Sequence, residues 1–347
     1  MAKSLYSNRF LTEEAGRVEK SSTKCRIYLD AGLVYISHPP CFYGVAGQVF
    51  RDDPKQQKRS EDAVIAYTWQ KYVQDPTRTE WPLRLPMTKA GAKAMDAITA
   101  FAGETLGFSP SKFAVAGASK RGWTTWTLAA VDPRVVAAVP IVMDQLNFLP
   151  NIHHHFSSYG GWSFALKDYT ELNFTRCLDH PNTLALMKIV DPYWYSERLS
   201  MPKMIVNSGM DEFFLPDDTR WWWDDMAGEK YFLMVPNAEH SEATGVLELL
   251  PAVSTFLNAV FNRRARPTFD WTISPSGNDI AVTVKTIPLG YKLKAVHAWH
   301  ADTCNAERRD FRILSNGWGL SSPFSPRVCA ARSRDASCHS RVTFSLW

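Results

Sequence analysis

The stretch that decides the fold is VAGASKRGW, which occupies residues 115–123. An apolar, strand-like run over residues 113–116 leads into Ser119, and a helix-like run over residues 123–131 follows at once. A serine at a sharp turn between a strand and a helix is held away from the backbone with its hydroxyl free, and only small neighbours fit such a strained turn. The pattern is therefore typical of a nucleophile elbow, the turn that presents a catalytic serine.

The match to the usual elbow pattern, G-x-S-x-G, is incomplete. That pattern would place glycine at position 121, where this chain has Arg121, and Gly122 comes one residue later. The form G-x-S-x-x-G is a weak signal on its own, because a tight strand–helix turn without any chemistry needs the same small residues. Both interpretations of Ser119 stay open until other segments are considered.

Two later segments favour the catalytic interpretation. Residues 203–208 form a β-rich run followed by Asp211, and residues 230–235 form another followed by His240. Enzymes of the α/β-hydrolase fold carry their catalytic residues in the order serine, acid, histidine, with the last two on loops after later strands. A serine hydroxyl is a poor nucleophile until a neutral imidazole takes its proton, and a carboxylate fixes the tautomer of that imidazole. The spacing thus predicts a triad of Ser119, Asp211 and His240.

Each member of the predicted triad has an alternative interpretation. His240 could be a loop histidine that bonds nearby backbone, and Asp211 could cap a short turn, since aspartate commonly caps helices. Other acids compete for the role of Asp211. They are Glu212, Asp217, Asp218 and Asp144, the last of which follows a strand-like run over residues 136–143.

The order of the predicted elements indicates an α/β fold. Helical patterns over residues 60–73, 88–103 and 244–261 alternate with the strand-like runs. Such alternation predicts a mostly parallel sheet with helices on both faces, as in an α/β-hydrolase. At 347 residues the chain can bury one large core and a smaller second domain.

We predict the following domain organisation. The core spans residues 47–264 and contains a long aromatic insertion, 145–198, which we interpret as a lid over the active site. Residues 265–314 show period-2 alternation and predict a small antiparallel, β-sandwich-like domain. Residues 1–46 form an atypical N-terminal segment that looks shortened, and residues 315–347, which lose all periodicity, are interpreted as a mobile tail.

An oxyanion hole and a substrate contact can be assigned around Ser119. The backbone N–H of Lys120, the residue after the nucleophile, is the expected first oxyanion donor. The second donor normally comes from a glycine-rich loop after an early strand, but this chain offers only LDAG at residues 29–32. A missing donor costs about a hundred- to a thousandfold in turnover. Arg121 could hold a substrate carboxylate in a bidentate pair, or it could pair with a structural acid, which we favour.

Composition excludes several classes of function. The net charge of +4 is mild for this length, and no motif for DNA or RNA binding occurs, so no nucleic-acid partner is expected. The six cysteines include no C-x-x-C pair. Consecutive histidines at 153–155 point in different directions from a helix or strand and are interpreted as polar lid residues. We therefore predict no metal and no cofactor.

The sequence gives conflicting indications of compartment. Residues 1–25 lack the apolar run of a secretory signal, and no stretch approaches the ~20 apolar residues needed to cross a bilayer. No membrane span is expected, and taken literally these features keep the chain in the cytoplasm.

Four blocks of sequence carry a resemblance to a known family. The chain resembles the PhoPQ-activated pathogenicity-related proteins, which include the autocrine proliferation repressor proteins, over residues 47–317. The blocks are RSEDAVIAYTW (59–69), GASKRGWTTW (117–126), DEFFLPDD (211–218) and PNAEHS (236–241).

The resemblance implies an α/β-hydrolase-like core with a C-terminal β domain. It also implies secretion, because some members of the family are secreted signalling proteins. The family has a glycine-rich stretch in its N-terminal third that this chain lacks, which points to a shortened member with little activity.

Two functions are therefore predicted as alternatives. The first is a serine hydrolase that cleaves an ester or peptide bond of a small-molecule or peptide substrate. The second is a secreted signalling or binding protein with a cell-surface protein partner, which keeps the hydrolase scaffold with little or no catalysis.

Overall fold

The computed structural model of the protein describes residues 26–30, 33–37, 49–51, 53–276, 279–287, 296–301, 309–310, 312 and 341–346. Most of the predicted N-terminal segment 1–46, most of the predicted tail 315–347 and the loop 29–32 beyond Asp30 lie outside these residues. Among the described residues, Cys177 has a free thiol. The other cysteines lie outside them: Cys25, Cys41, Cys304, Cys329 and Cys338.

The elements of the described residues follow the predicted alternation of strands and helices. Short 3₁₀ turns occur at Phe164–Leu166, Phe174–Arg176, Pro192–Arg198 and Asp218–Trp221. In chain order, the strands and helices are β1 (Arg26–Asp30), β2 (Leu33–Ser37), α1 (Asp62–Gln74), α2 (Arg84–Leu106), β3 (Phe113–Ala118), α3 (Lys120–Val131), β4 (Val135–Ile141), α4 (Phe148–Tyr159), α5 (Lys167–Glu171), α6 (Pro181–Val190), β5 (Lys203–Ser208), β6 (Lys230–Val235), α7 (Val246–Phe261), β7 (Thr268–Ser276), β8 (Asp279–Ile287), β9 (Val296–Ala301) and β10 (Arg341–Leu346).

A parallel four-stranded sheet organises the core. Its strands lie in the order β3-β4-β5-β6, and each pair is parallel. Because side chains alternate along a strand, Met204 and Val206 of β5 pack against α7, while Ile205 faces the opposite layer with Trp126 of α3. Helices therefore cover both faces of a parallel sheet, which confirms the predicted α/β-hydrolase-like fold class.

The insertion between β4 and β5 packs on the α3 side of the sheet. Its helices α4, α5 and α6 share one hydrophobic cluster with α1 and α3. The indole N–H of Trp123 donates to the carbonyl of Val190 at 2.6 Å, and the carboxylate of Asp191 accepts from the backbone N–H of Phe148 at 2.8 Å. The first bond joins the end of the insertion to α3, and the second joins the two ends of the insertion to each other. The role of residues 145–198 as a lid stays a prediction.

The remaining strands form separate antiparallel pairs. β1 pairs with β2, β7 with β8, and β9 with β10. The alternating pattern of residues 265–314 predicted strands of this kind, while their arrangement as a sandwich stays a prediction. β10 lies within the segment that we interpreted as a tail. No helix in the described ranges is long and apolar enough to span a membrane.

Candidate active site

Ser119 lies at a strained turn between β3 and α3. Its backbone has φ 55° and ψ −126°, a conformation that residues with a side chain seldom adopt. The backbone N–H of Ser119 donates to the carbonyl of Ile141 at 2.8 Å, which continues the pairing with β4. The sheet and the helix thus hold the turn in place, with Ser119 between them.

Two close backbone approaches explain the spacing of the glycines. A Cβ on Gly117 would meet the carbonyl oxygen of Arg121 at 2.6 Å. A Cβ on Gly122 would meet Cβ of Met143 at 2.6 Å and the carbonyl oxygen of Ile141 at 3.0 Å. The second glycine is therefore needed at position 122, where α3 crosses the end of β4, and a side chain at 121 is compatible with the elbow.

The structure brings His240 and Asp211 to Ser119. Nε2 of His240 lies 2.7 Å from Oγ of Ser119, and Nδ1 lies 2.8 Å from Oδ2 of Asp211. The other carboxylate oxygen of Asp211 accepts from the backbone N–H groups of Phe213 at 2.7 Å and Phe214 at 3.1 Å. An ionised Asp211 that accepts from Nδ1–H leaves Nε2 free to accept the serine proton.

The surroundings of His240 set its protonation. Burial lowers the pKa of His240, while the charge of Asp211 and its hydrogen bond raise it, and the net pKa lies above the usual 6.5. Glu212 accepts from the backbone N–H of His240 at 3.2 Å. The ring of Phe213 lies 4.4 Å from the imidazole, centroid to centroid. The imidazole is thus held at Nδ1 by Asp211 and packs against the ring of Phe213 in a partly buried position.

Two of the competing acids, Asp144 and Asp218, lie elsewhere in hydrogen-bonded positions. Asp144 accepts from the indole N–H of Trp222 and from Nδ2 of Asn207, and burial raises its pKa to about 7. Asp218 accepts from the backbone N–H of Leu215 at 2.7 Å. Neither carboxylate bonds to His240, so the geometry favours Asp211 over both alternatives.

A cavity opens beside the nucleophile. Its volume is about 40 Å³, and nearly half of its lining residues come from the 145–198 insertion. The residues that line it do not include Arg121, so the predicted contact of that side chain with substrate stays a prediction. Apart from Ser119, the lining residues are mainly apolar and aromatic, and they include Trp69, Trp123, Phe148, Ile152, Leu166, Tyr169, Phe174, Leu178, Phe213 and Phe214, with Arg84, Asp62 and Lys120 among the polar ones.

Comparison of sequences gives the family. Residues 45–312 match the family described as PhoPQ-activated pathogenicity-related protein. The chain belongs to this family. It is also similar to autocrine proliferation repressor protein A of Dictyostelium discoideum, with 42% identity over 294 residues, which are 83% of this chain and 57% of that protein. The chain thus spans little more than half the length of this curated relative.

Several solved structures show a partial likeness. An acetyl xylan esterase from a Paenibacillus species is 17% identical, with a TM-score of 0.40 and coverage of 52% of each chain. Acetyl xylan esterase 1 from a Thermoanaerobacterium species is 16% identical, with a TM-score of 0.38 and coverage of 55% of this chain and 57% of that chain. An acylaminoacyl peptidase from Pyrococcus horikoshii is 14% identical, with a TM-score of 0.39 over 58% of this chain and 30% of that chain.

Three contacts of charged side chains in this PhoPQ-related protein were not predicted from the sequence. Nζ of Lys120 lies 3.0 Å from Oε2 of Glu61 and 3.2 Å from Oδ2 of Asp62. Nη1 of Arg84 donates to the carbonyl of Lys120 at 2.9 Å. Glu61 and Asp62 belong to the block at residues 59–69, the first of the four that carry the family resemblance. This block was the one feature of the sequence that could have indicated these contacts. Together these contacts hold the residue that follows the nucleophile on both its side chain and its backbone.

One group of side chains could hold a metal ion among the residues that the structure describes. His154, Asp217 and Asp218 bring potential ligand atoms within 4.8 Å of one another. However, the guanidinium of Arg309 lies 3.0 Å from the carboxylate of Asp217, and a fixed positive charge at that distance disfavours a second cation. The expectation of no metal and no cofactor stays a prediction.

Proposed function

We propose that this PhoPQ-related protein is a serine hydrolase that cleaves an ester or a peptide bond. The observation that carries the proposal is the continuous line of hydrogen bonds from Asp211 through His240 to Ser119, with 2.8 Å and 2.7 Å between the bonded atoms. Both distances lie within the range expected of a nucleophile and its base. The strained elbow at Ser119 supports the same role, because backbone strain clusters at functional sites.

In the first half of the reaction, Oγ of Ser119 attacks the acyl carbon while Nε2 of His240 takes the hydroxyl proton. The C–O or C–N bond of the substrate then breaks, and His240 gives its proton to the departing alcohol or amine. Asp211 stays ionised and stabilises the imidazolium that forms between these steps. The product of this half is an acyl ester on Ser119.

In the second half, a water molecule replaces the leaving group. His240 takes a proton from the water as its oxygen attacks the acyl carbon, and the bond to Oγ breaks. The proton returns to Ser119, and the acid product leaves. The tetrahedral oxyanion of both halves accepts a hydrogen bond from the backbone N–H of Lys120, which is the first residue of α3 and has no partner within the helix.

Labelling with a fluorophosphonate probe tests this function. The probe forms a covalent bond with an activated serine and releases fluoride, so the native protein should be labelled and Ser119→Ala should not. Heat-denatured protein serves as the control for non-specific reaction. Equal labelling of the native protein and Ser119→Ala, or labelling of neither, would rule out the enzyme.

A second function has one specific observation in its favour. The relative that is 42% identical bears the name of an autocrine proliferation repressor, which describes signalling rather than turnover. Under this alternative the chain binds a cell-surface protein through the same scaffold. Ser119→Ala separates the two functions, because a signalling role would survive the substitution in an assay of cell proliferation and a catalytic role would not.

A further inference from the structure

Arg84 is a buried cation in the wall of the cavity beside Ser119. Only 4% of the residue is exposed. Its Nη1 donates to the carbonyl of Lys120, and its Nε has no hydrogen-bond partner among the residues that the structure describes. The nearby carboxylate of Asp62 contacts the ammonium of Lys120 instead, at 3.2 Å. A guanidinium has five N–H donors, so most of the capacity of Arg84 is not used by the contacts described here.

The surroundings of Arg84 keep it charged and in place. Its guanidinium carbon lies 4.2 Å from the ring centroid of Trp123 and 6.0 Å from that of Trp69, within the range of cation–π contacts. Burial lowers the pKa of Arg84 to about 10, so the group is still protonated at neutral pH. A buried charge without a carboxylate partner is expensive. Such a group is well suited to an anion that arrives with a ligand.

The size of the cavity limits the part of the ligand that can enter it. A space of about 40 Å³ corresponds to roughly three water-sized spheres at 10–15 Å³ each. The space therefore admits a small group of a ligand, such as a carboxylate on a short carbon chain. Apolar residues such as Phe148 and Leu166 make up much of the lining, and the charged lining residues Asp62 and Lys120 contact each other at 3.2 Å.

We propose that this cavity binds a short carboxylate-bearing group of the substrate and that Arg84 holds the carboxylate. This inference rests on the proposed hydrolase function in treating the ligand as a substrate, but the binding itself requires no catalysis. It moves the carboxylate contact from Arg121, which does not line the cavity, to Arg84, which does. The guanidinium is planar and matches a carboxylate in two parallel hydrogen bonds.

A purely structural role for Arg84 makes a different prediction. In that case the side chain only fills the space beside Trp123 and supports the carbonyl of Lys120. Its loss would then weaken every ligand of the cavity by the same factor. A role in recognition weakens anionic ligands alone.

The test compares propanoate with propanamide, which have the same shape and differ in charge. Both are titrated into Ser119→Ala at constant ionic strength, and dissociation constants are measured by ligand-observed NMR. We expect propanoate to bind about ten- to a hundredfold more tightly, as for hydrogen bonds between charged groups. In Ser119→Ala with Arg84→Gln the ratio should fall close to one, while with Arg121→Gln it should persist. Thermal unfolding checks that each variant is folded.

The outcomes separate this inference from the proposed function. Equal binding of the two ligands, binding of neither, or a preference that survives Arg84→Gln in a folded protein would overturn the inference. Collapse of the preference in Arg121→Gln alone would assign the carboxylate to Arg121 instead. Fluorophosphonate labelling of the protein with an intact Ser119 reports on the hydrolase independently, because the probe carries no carboxylate.

Discussion

At the scale of single residues, His240 carries two opposing influences on its pKa. Burial lowers the pKa of the imidazole and Asp211 raises it, with a net value above 6.5. The base must be neutral to take the serine proton, so activity is lost as the pH falls through this raised pKa. We expect the rate of fluorophosphonate labelling, measured from pH 5 to 9, to show an acid limb with its midpoint above 6.5.

Asp211→Asn tests the partner that raises this pKa. The amide cannot stabilise the imidazolium, so we expect the labelling rate at neutral pH to fall by about ten-thousandfold and the acid limb to move to lower pH. Glu212→Gln is the matched control, because Glu212 bonds the backbone N–H of His240 and not its ring, and its charge raises the pKa of the imidazole less than Asp211 does. A large loss in Glu212→Gln with none in Asp211→Asn would exchange the roles of the two acids.

At the scale of elements, the contact between α3 and β4 fixes the elbow. We expect Gly122→Ala to lower the free energy of unfolding by about 1–3 kcal/mol, because its Cβ would lie 2.6 Å from that of Met143. The sign of this change is informative, because alanine in place of glycine at an unhindered helical position raises the free energy of unfolding by about 1 kcal/mol. Urea unfolding gives the change.

Gly209→Ala serves as the control for that substitution. Its Cβ would have no neighbour closer than the carbonyl oxygen of Val235 at 3.4 Å, which is an ordinary contact. We expect a change within about 0.5 kcal/mol, as for substitutions away from special features. Stabilisation by Gly122→Ala would mean that α3 and β4 separate enough to admit a methyl group.

The order of the elements was predictable from the sequence, but several boundaries were not. α2 begins at Arg84 rather than at the predicted residue 88. Pro86 is tolerated there because it lies in the first turn, where a backbone N–H would have no partner within the helix. α3 begins at Lys120 rather than 123. Residues 120–122 carry no apolar periodicity, so the start of the helix is set by the elbow and not by the pattern.

At the scale of the whole molecule, the arrangement of the parallel sheet determines which site residues could be predicted from the sequence. Ser119, Asp211 and His240 each follow a parallel strand, so their meeting at one edge of the sheet followed from chain order alone. Arg84 could not be found in this way. It lies on a helix that precedes β3 and contacts Lys120 of the elbow, which is 36 residues later in the chain. Periodicity describes one element at a time and carries no signal for a contact between two of them.

Buried carboxylates on the same molecule make its stability depend on pH. Burial raises the pKa of Asp144 to about 7 from the usual 3.8, so the folded protein holds this proton more tightly than the unfolded chain does. The stabilising contribution is present below about pH 4 and is lost as the pH rises through 7. We expect the free energy of unfolding, measured with urea, to fall between pH 5 and pH 8.

Asp144→Asn isolates the contribution of this one carboxylate. The amide has nearly the same shape and does not titrate, so the fall between pH 5 and pH 8 should shrink by on the order of 1–4 kcal/mol. It should not vanish, because burial also raises the pKa of Glu242 to about 7 and that residue acts in the same direction. Glu248→Gln, on the surface of α7, is the control and should leave the dependence unchanged. An equal fall in the native protein and Asp144→Asn would mean that water reaches Asp144 and that its charge is solvated in the folded state.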